Sequence, residues 1–365
     1  MEYASYFFED LNINIHTASF KNEYYISAEI AGNDCNSSSD CRYAEAQKNA
    51  LDTALLKTLP KGATLVWKRY FVSDISNQKH LFDNNVFSVV QQPPLNGSKI
   101  SVLAYFISAQ NSYKHLFTGG MFCREGNTFE QTTSIFNNYA GQLQQHGLSL
   151  AGNVIRTWIY VQDIDNHYGD MVSARNDIFA QTGLVEHSIA STGIEGRGVH
   201  SGVHVTMDAY AADVNPEQIT FLKAETHLNP TCEYGVLFER ATAVDYADRR
   251  HIFVSGTASI DNRGEIIAPF DIKRQLTRTL ENIDALLKEG NAAMKDIAHF
   301  IIYLRDSGDY SFVKNYFDSN FADTPRIIVH APVCRSGWLI EIECIAIAGQ
   351  TTSNPARNNF FTHYA

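Results

Sequence analysis

Two glutamates near the end of the sequence are the residues best placed to do acid–base chemistry. Glu341 and Glu343 lie in a run in which apolar residues alternate with these two carboxylates. Because neighbouring side chains of a strand point to opposite faces, we expect both carboxylates on one face, about 7 Å apart. Burial and mutual repulsion raise the pKa of at least one such carboxyl, which can then donate a proton near neutral pH. The alternative is that both only accept backbone hydrogen bonds at an interface.

Three arginines are candidates for binding a substrate carboxylate: Arg156, Arg240 and Arg326. A planar guanidinium binds a carboxylate through two hydrogen bonds and stays charged when partly buried. Arg156 lies in an otherwise apolar strand pattern, where a charge without a partner is costly. For each arginine the alternative is a surface or interface salt bridge.

Other polar residues give weaker signals. The segment Ser191-Thr192-Gly193 could present hydroxyl and backbone donors to a carboxylate, or could form a turn of small residues. Cys334, next to Arg335, could contact substrate as a reactive thiol, although such cysteines are more often inert. His200 and His204 lie in a loop and strand pattern, so we predict no metal site there. The glycine spacing does not match a dinucleotide-binding fingerprint.

Composition limits the partners and the compartment. The chain has 365 residues, 44% of them hydrophobic, and a formal net charge of −11. No basic block stands out, which argues against nucleic acid or an anionic membrane as a partner. Six cysteines without CxxC spacing and the absence of an apolar N-terminal stretch predict a reduced, cytoplasmic protein.

The segments that carry these residues repeat along the chain. The markers are a glycine after the first strands, a glycine ending a helix and an aspartate ending the next strand: Gly256, Gly290 and Asp306 in the last third, and Gly119, Gly147 and Asp163 in the middle third. The spacing is nearly constant, since 290 − 147 and 306 − 163 both equal 143, while 256 − 119 equals 137. A fainter copy in the first third contains Asp74. Such a period predicts three similar units, at 1–108, 109–222 and 223–350, followed by a polar tail at 351–365.

Hydrophobic periodicity in the third unit predicts its fold. The pattern indicates helices over 271–290 and 312–321, the first capped by Asp271 and ended by Gly290 in a left-handed conformation. Strands are predicted over 299–304, 327–331 and 338–347. This order implies an α+β unit with a mixed sheet and both helices on one face. The three bare sheet faces would then pack together as a pseudo-trimer.

The third unit contains four distinctive motifs: Ser255-Gly256, Asp306, Pro325-Arg326 and the closing strand from Leu339 to Ala346. Together they resemble the YjgF/YER057c/UK114 (Rid) family, whose units have a chorismate-mutase-like fold. Rid proteins are homotrimers with sites between subunits. The resemblance implies an enamine/imine deaminase in which Arg326 holds the substrate carboxylate and Glu341 helps to place water.

A narrower resemblance covers more of the chain and rests on the segments 154–160, 174–176, 190–194, 238–241 and 333–343. These segments are similar to the chorismatases. This resemblance implies cleavage of chorismate to pyruvate and a hydroxybenzoate or a dihydroxycyclohexadiene carboxylate. Chorismate carries two carboxylates, so its site needs at least two cationic side chains and one acid.

The leading hypothesis is therefore a chorismatase-like enzyme with one pocket, formed where the third unit meets the second. Glu341 would be the general acid, with Glu343 beside it to repel its ionised form. No metal, nucleotide or pterin is expected, and the whole chain is expected to be monomeric. A Rid-type imine deaminase and a non-catalytic protein that binds small molecules are the alternatives.

Overall fold

The structure is a computed structural model that describes residues 1–32, 43–82, 87–108, 115–246 and 248–349. The predicted tail, Cys35 and Cys41 lie outside these residues. The strands of the first and second units are β1 Glu2–Phe8, β2 Ile13–Phe20, β3 Glu23–Ile30, β4 Thr64–Val72, β5 Ser88–Gln91, β6 Ile100–Ile107, β7 His115–Phe122, β8 Val154–Val161, β9 Ala190–Glu195 and β10 Val205–Ala212. The remaining strands are β11 Ile219–Leu222, β12 Ala241–Tyr246, β13 Arg249–Ala258, β14 Ile297–Leu304, β15 Arg326–His330 and β16 Ile340–Gly349. The α-helices are α1 Ala44–Thr58, α2 Ile75–Gln78, α3 Thr128–Gln145, α4 Leu150–Asn153, α5 Ile164–Thr182, α6 Ile272–Glu289 and α7 Tyr310–Asn320.

The strands form three sheets with one repeated order. The first sheet runs β1-β2-β3-β6-β4-β5 and the third runs β11-β12-β13-β16-β14-β15. The second, β7-β10-β8-β9, is the same arrangement without the two leading strands. Each sheet contains one parallel pair, β4 with β5, β8 with β9 and β14 with β15. The fold is thus α+β with three mixed sheets, and the Rid-like unit is repeated as predicted.

Helices cover one side of each sheet, and the opposite sides share a core. Helix α1 packs on β2, β3 and β6, α3 and α5 pack on the second sheet, and α6 packs on β13 and β16. One apolar cluster joins residues from all three sheets, including Trp67, Trp158 and Phe300. This shared core explains how three half-covered sheets are buried by one chain. The pseudo-trimer description remains a prediction.

The helix predicted over 271–290 is α6, and one of its two predicted ends is wrong. The Asp271 side chain caps the helix by accepting a hydrogen bond from the backbone N–H of Arg274. Gly290, however, has a φ of −77° and is not left-handed; the left-handed residue is Asn291, with a φ of 58°. A Cβ on Gly290 would lie 2.6 Å from Cδ1 of Ile252. Tight packing against β13 therefore explains this glycine.

Strand register corrects the predicted alignment of the second and third units by one residue. Thr118 is paired with Ala209 and Met121 with Met207, across a bulge. The third sheet has the corresponding bulge between Val254 and Thr257. Gly120, not Gly119, therefore corresponds to Gly256.

The predicted unit boundaries near residues 108 and 222 remain predictions. Strand β11 precedes the second boundary but pairs with β12 in the third sheet, which favours a division before Ile219. None of the helices in the described ranges is long and apolar enough to cross a bilayer. Cytoplasmic location and the monomeric state also remain predictions.

Candidate active site

A cavity lies between the second and third sheets, where the sequence predicts the site. It encloses about 580 Å³ of space, part of which is open solvent. The predicted residues that line it are Ser191, Gly193, Arg240, Cys334 and Glu341. The lining residues that the sequence did not single out as site residues are Tyr168, Arg175, Val236, Phe238, Gly256, Ala258, Ile260, Arg335 and Trp338.

Glu341 is the carboxyl that faces this cavity. It lies on β16, opposite Tyr303 of β14 and Ala258 of β13, and its side chain is 5% exposed. Burial, with a smaller contribution from the charge of Glu343, raises the pKa of Glu341 from an ordinary 4.5 to about 8. The acid is therefore mostly neutral at pH 7 and can donate a proton.

The Glu341 carboxyl rests directly against the backbone of Gly256. A Cβ added to Gly256 would lie 2.0 Å from Oε1 of Glu341, which is inside contact distance. Any side chain at this position would displace the acid. The Ser255-Gly256 motif therefore shapes the wall on which the acid is held.

Glu343 has a different environment from Glu341. Its carboxylate accepts hydrogen bonds from Nη2 of Arg156 at 2.7 Å, from Nε1 of Trp158 at 2.7 Å and from the hydroxyl of Thr192. Arg156 and Glu343 are 1% and 2% exposed. Neither residue lines the cavity, so this buried ion pair joins the second sheet to the third behind the site.

Arg240 reaches the cavity from the segment before β12. Its guanidinium donates to the backbone oxygen and to Oδ1 of Asn229, at 2.9 and 3.0 Å, and lies over the ring of Phe238. The positive charge acts to lower the pKa of Glu341, although burial outweighs this effect. Arg240 is thus held next to the acid.

The segment Ser191-Thr192-Gly193 divides its contacts between the cavity and the interface behind it. Ser191 and Gly193 line the cavity, and the backbone N–H of Ser191 donates to Oγ of Ser255 at 2.9 Å. The hydroxyl of Thr192 points to Glu343 instead of the cavity. The segment is strand β9, so the alternative of a small-residue turn is wrong.

Cys334 lines the cavity as a protonated thiol. Burial, with a smaller contribution from the charge of Glu341, raises the pKa of Cys334 to about 12. A thiol in this state is a weak nucleophile. It contributes shape and polarity to the wall, next to Arg335, whose guanidinium lies over the ring of Trp338.

Arg326 does not line this cavity, contrary to its predicted place beside Glu341. It lies where the third sheet meets the first: its backbone N–H donates to Oγ of Ser27, and its Nη2 donates to Asp318 at 2.5 Å. Nη1 donates to the backbone oxygen of Phe321. The guanidinium is therefore engaged at a different interface.

Strand register shows which residue takes the place of Ser191 at the other two interfaces. Ser88, Thr192 and Ile327 pair with corresponding residues of β4, β8 and β14, so the residues before them, Phe87, Ser191 and Arg326, correspond. At the first of these interfaces the Phe87 backbone takes the space next to Gly119. At the third, Arg326 and its partners fill the corresponding position. Ser191 is smaller than Phe87 and Arg326, and it lines the cavity.

Arg175 is the missed residue that the sequence could have revealed. It lies on α5 at 2% exposure, among the buried residues Met171, Val172, Ile178 and Phe179. A charged residue on the buried face of an amphipathic helix is unusual and indicates a specific role. Together with Arg240 and Arg335 it gives the cavity three arginines.

His200 and His204, for which the sequence predicts no metal site, contact other residues. His204 hydrogen bonds with Thr128 and stacks on His167, while His200 contacts Arg124. Within the described ranges no group of three or more His, Cys, Asp or Glu side chains is placed to hold a metal ion.

Comparison with known proteins identifies the family of the third unit. The family model described as endoribonuclease L-PSP matches residues 241–348. A RutC family protein of Pyrococcus abyssi is 34% identical over 97 residues, which span 26% of this chain and 76% of that protein. The chain belongs to the Rid (RutC/YjgF) family. Another Rid relative, the 2-iminobutanoate/2-iminopropanoate deaminase of Bos taurus, is 28% identical over 120 residues, 32% of this chain and 83% of that protein.

A chorismatase crystal structure matches a much larger part of this Rid protein. It covers 90% of this chain and 100% of the chorismatase chain, with a TM-score of 0.66 and 17% sequence identity. At this identity the match establishes a shared fold. Most of this chain therefore has the fold of a chorismatase.

Proposed function

We propose that the protein is a chorismatase-like enzyme that cleaves the enolpyruvyl ether of chorismate. The observation that carries the proposal is a neutral carboxylic acid, Glu341, in a cavity that three arginines also line. Chorismate has the complementary chemistry, since it carries two carboxylates and an enol ether that must be protonated on carbon. The shared fold with a chorismatase supports the same function class.

Several polar side chains of the cavity then have a role. Arg240, Arg175 and Arg335 are the candidates for binding the two carboxylates, since guanidinium groups in a partly buried site bind carboxylates strongly. These positive charges would attract an anionic substrate into the cavity of a chain whose net charge is −11. Ser191 and the Cys334 thiol complete the polar wall.

Glu341 donates its proton to the terminal methylene carbon of the enol ether. This makes the ether carbon an oxocarbenium ion and leaves Glu341 ionised. Addition of water gives a hemiketal, whose collapse releases pyruvate and a dihydroxycyclohexadiene carboxylate, and the proton lost by water restores Glu341. Loss of the ring hydroxyl as water together with pyruvate release instead gives a hydroxybenzoate, with no net consumption of water.

The imine deaminase alternative has support from the Rid relatives, but the position of Arg326 counts against it. The family resemblance assigns the substrate carboxylate to this arginine, which here is bound to Asp318 at 2.5 Å. Glu341, the other residue of that assignment, lies at the interface with the second sheet instead.

The test is to offer purified, chelator-treated protein chorismate and, separately, 2-iminopropanoate generated in situ. We expect pyruvate and a ring acid from chorismate, detected by a coupled lactate dehydrogenase assay and by chromatography. Imine hydrolysis is expected to match the uncatalysed rate. Absence of pyruvate from chorismate would remove the proposed function, and accelerated imine hydrolysis would favour the deaminase.

A further inference from the structure

The hydroxyl of Thr192 is the centre of a hydrogen-bonded chain behind the cavity. It accepts from the backbone N–H of Gly256 at 2.8 Å and from Nη2 of Arg156, and it donates to Oε2 of Glu343. A hydroxyl has one proton to donate and two lone pairs to accept with. Its capacity is therefore fully used, and none is left for a ligand.

This hydrogen-bonded chain ends at Gly256, against which the Glu341 carboxyl lies. Gly256 lies in the bulge of β13, between Val254 and Thr257. The Glu341 carboxyl lies against Gly256, and Cγ2 of Thr192 lies 3.1 Å from the position that a Cβ on Gly256 would take. A change in the Gly256 backbone would therefore move the wall on which the Glu341 carboxyl rests.

At the corresponding interface between the first and second sheets, the part of the chain that the structure describes shows no such hydroxyl link. There the backbone N–H of Gly120, in the matching bulge, donates directly to Oδ1 of Asp208 at 2.8 Å. Asp208 is held by Arg69 in a buried ion pair, as Glu343 is held by Arg156. The fold can thus satisfy the bulge N–H without a threonine. At the cavity, the threonine hydroxyl lies between the bulge and the ion pair.

We infer that Thr192 is a positioning residue, whose hydroxyl ties the Arg156–Glu343 pair to the Gly256 bulge and so fixes the Glu341 carboxyl against the cavity wall. This inference rests on the proposed function and differs from the sequence-based assignment of Thr192 to substrate binding. Thr192 would act on the proton transfer without contacting the substrate.

The first test compares Thr192→Val and Thr192→Ala, which remove the hydroxyl, with Thr192→Ser, which keeps it. We expect kcat to fall roughly ten- to a hundredfold in the first two, as for a misplaced acid, with KM within about threefold of wild type. The serine variant should retain kcat within about threefold. The alanine variant covers the case in which the valine variant does not fold.

The matched control is Ser88→Ala, since Ser88 pairs on β4 as Thr192 pairs on β8. It should keep the kcat and the pH profile of the wild type. An unchanged kcat in folded Thr192→Val or Thr192→Ala would overturn the inference. A rise in KM at constant kcat would also overturn it, because Thr192 would then contact the substrate.

The second test does not depend on turnover. The charged and titratable groups that act on Glu341 or share its cavity are Glu343, Arg156, Arg240, Arg175, Arg335, Cys334 and Tyr168. The carbonyl stretch of the protonated Glu341 carboxyl can be assigned by infrared difference spectroscopy against Glu341→Gln and followed with pH.

We expect this infrared band to titrate at a shifted pH in Thr192→Val and Thr192→Ala, and at the wild-type pH in Thr192→Ser. Identical titrations in all variants would refute the positioning role. If wild type releases no pyruvate while the band still shifts, the proposed function fails and the positioning role of Thr192 stands.

Discussion

Glu341→Gln should stabilise the protein increasingly as the pH rises. The pKa of Glu341 is about 8 in the folded chain against an ordinary 4.5. Between these two pH values the unfolded chain has released a proton that the folded chain retains, so the free energy of unfolding falls with rising pH. One pKa unit corresponds to about 1.4 kcal/mol, so wild type should lose at most about 4–5 kcal/mol between these two values. Glutamine has no proton to release and avoids this loss.

The assay is urea unfolding of wild type and Glu341→Gln at several values between about pH 5 and about pH 9. The difference in unfolding free energy should grow by several kcal/mol up to about pH 8 and then level off. Glu225→Gln, at an exposed glutamate, is the control and should show a small, constant difference. A Glu341→Gln difference that does not change with pH would refute the argument that Glu341 is held neutral.

Three further substitutions test the site and the interfaces. Gly256→Ala places a Cβ 2.0 Å from Oε1 of Glu341, so pyruvate release should slow by roughly ten- to a hundredfold. Arg326→Ala removes an arginine outside the cavity; calorimetry should find ligand affinity within about twofold of wild type, and urea unfolding a stability loss of about 1–3 kcal/mol. Glu23→Ala leaves the buried Arg249 without its 3.1 Å partner, and urea unfolding should show a loss of about 3–5 kcal/mol.

Each of these expectations has a contrary result. Full activity in Gly256→Ala would mean that the Glu341 carboxyl can move without slowing pyruvate release. A large loss of ligand affinity in folded Arg326→Ala would restore this arginine to the binding site. Unchanged stability in Glu23→Ala would mean that water, or Asp248 at 3.6 Å, compensates the charge of Arg249.

The repeated fold was predictable because hydrophobic patterns and turn residues are local properties. Alternation in β16 was enough to place Glu341 and Glu343 on one face, and burial with mutual repulsion predicted the raised pKa of one carboxyl. Gly290 shows the limit of local patterns, since contact with Ile252, far away in sequence, explains the glycine there.

The error over Arg326 has a geometric cause. Each unit contacts two others, and a motif gives a residue's place within its own unit without saying which neighbour it faces. Glu341 faces the second unit, whereas Arg326 contacts Ser27 of the first. Arg175 belongs to the segment 174–176 that carries the chorismatase resemblance, but no helix was predicted there, so its place on the buried face of helix α5 was not expected.

The most direct test of the central claim is pyruvate release from chorismate by wild type and Glu341→Gln at about pH 7, with hydroxybenzoate binding measured in parallel. The proposed mechanism predicts release by wild type and a fall of roughly a hundredfold or more in the variant, with binding within about threefold of wild type. Undiminished release by Glu341→Gln would contradict the claim that Glu341 donates the proton.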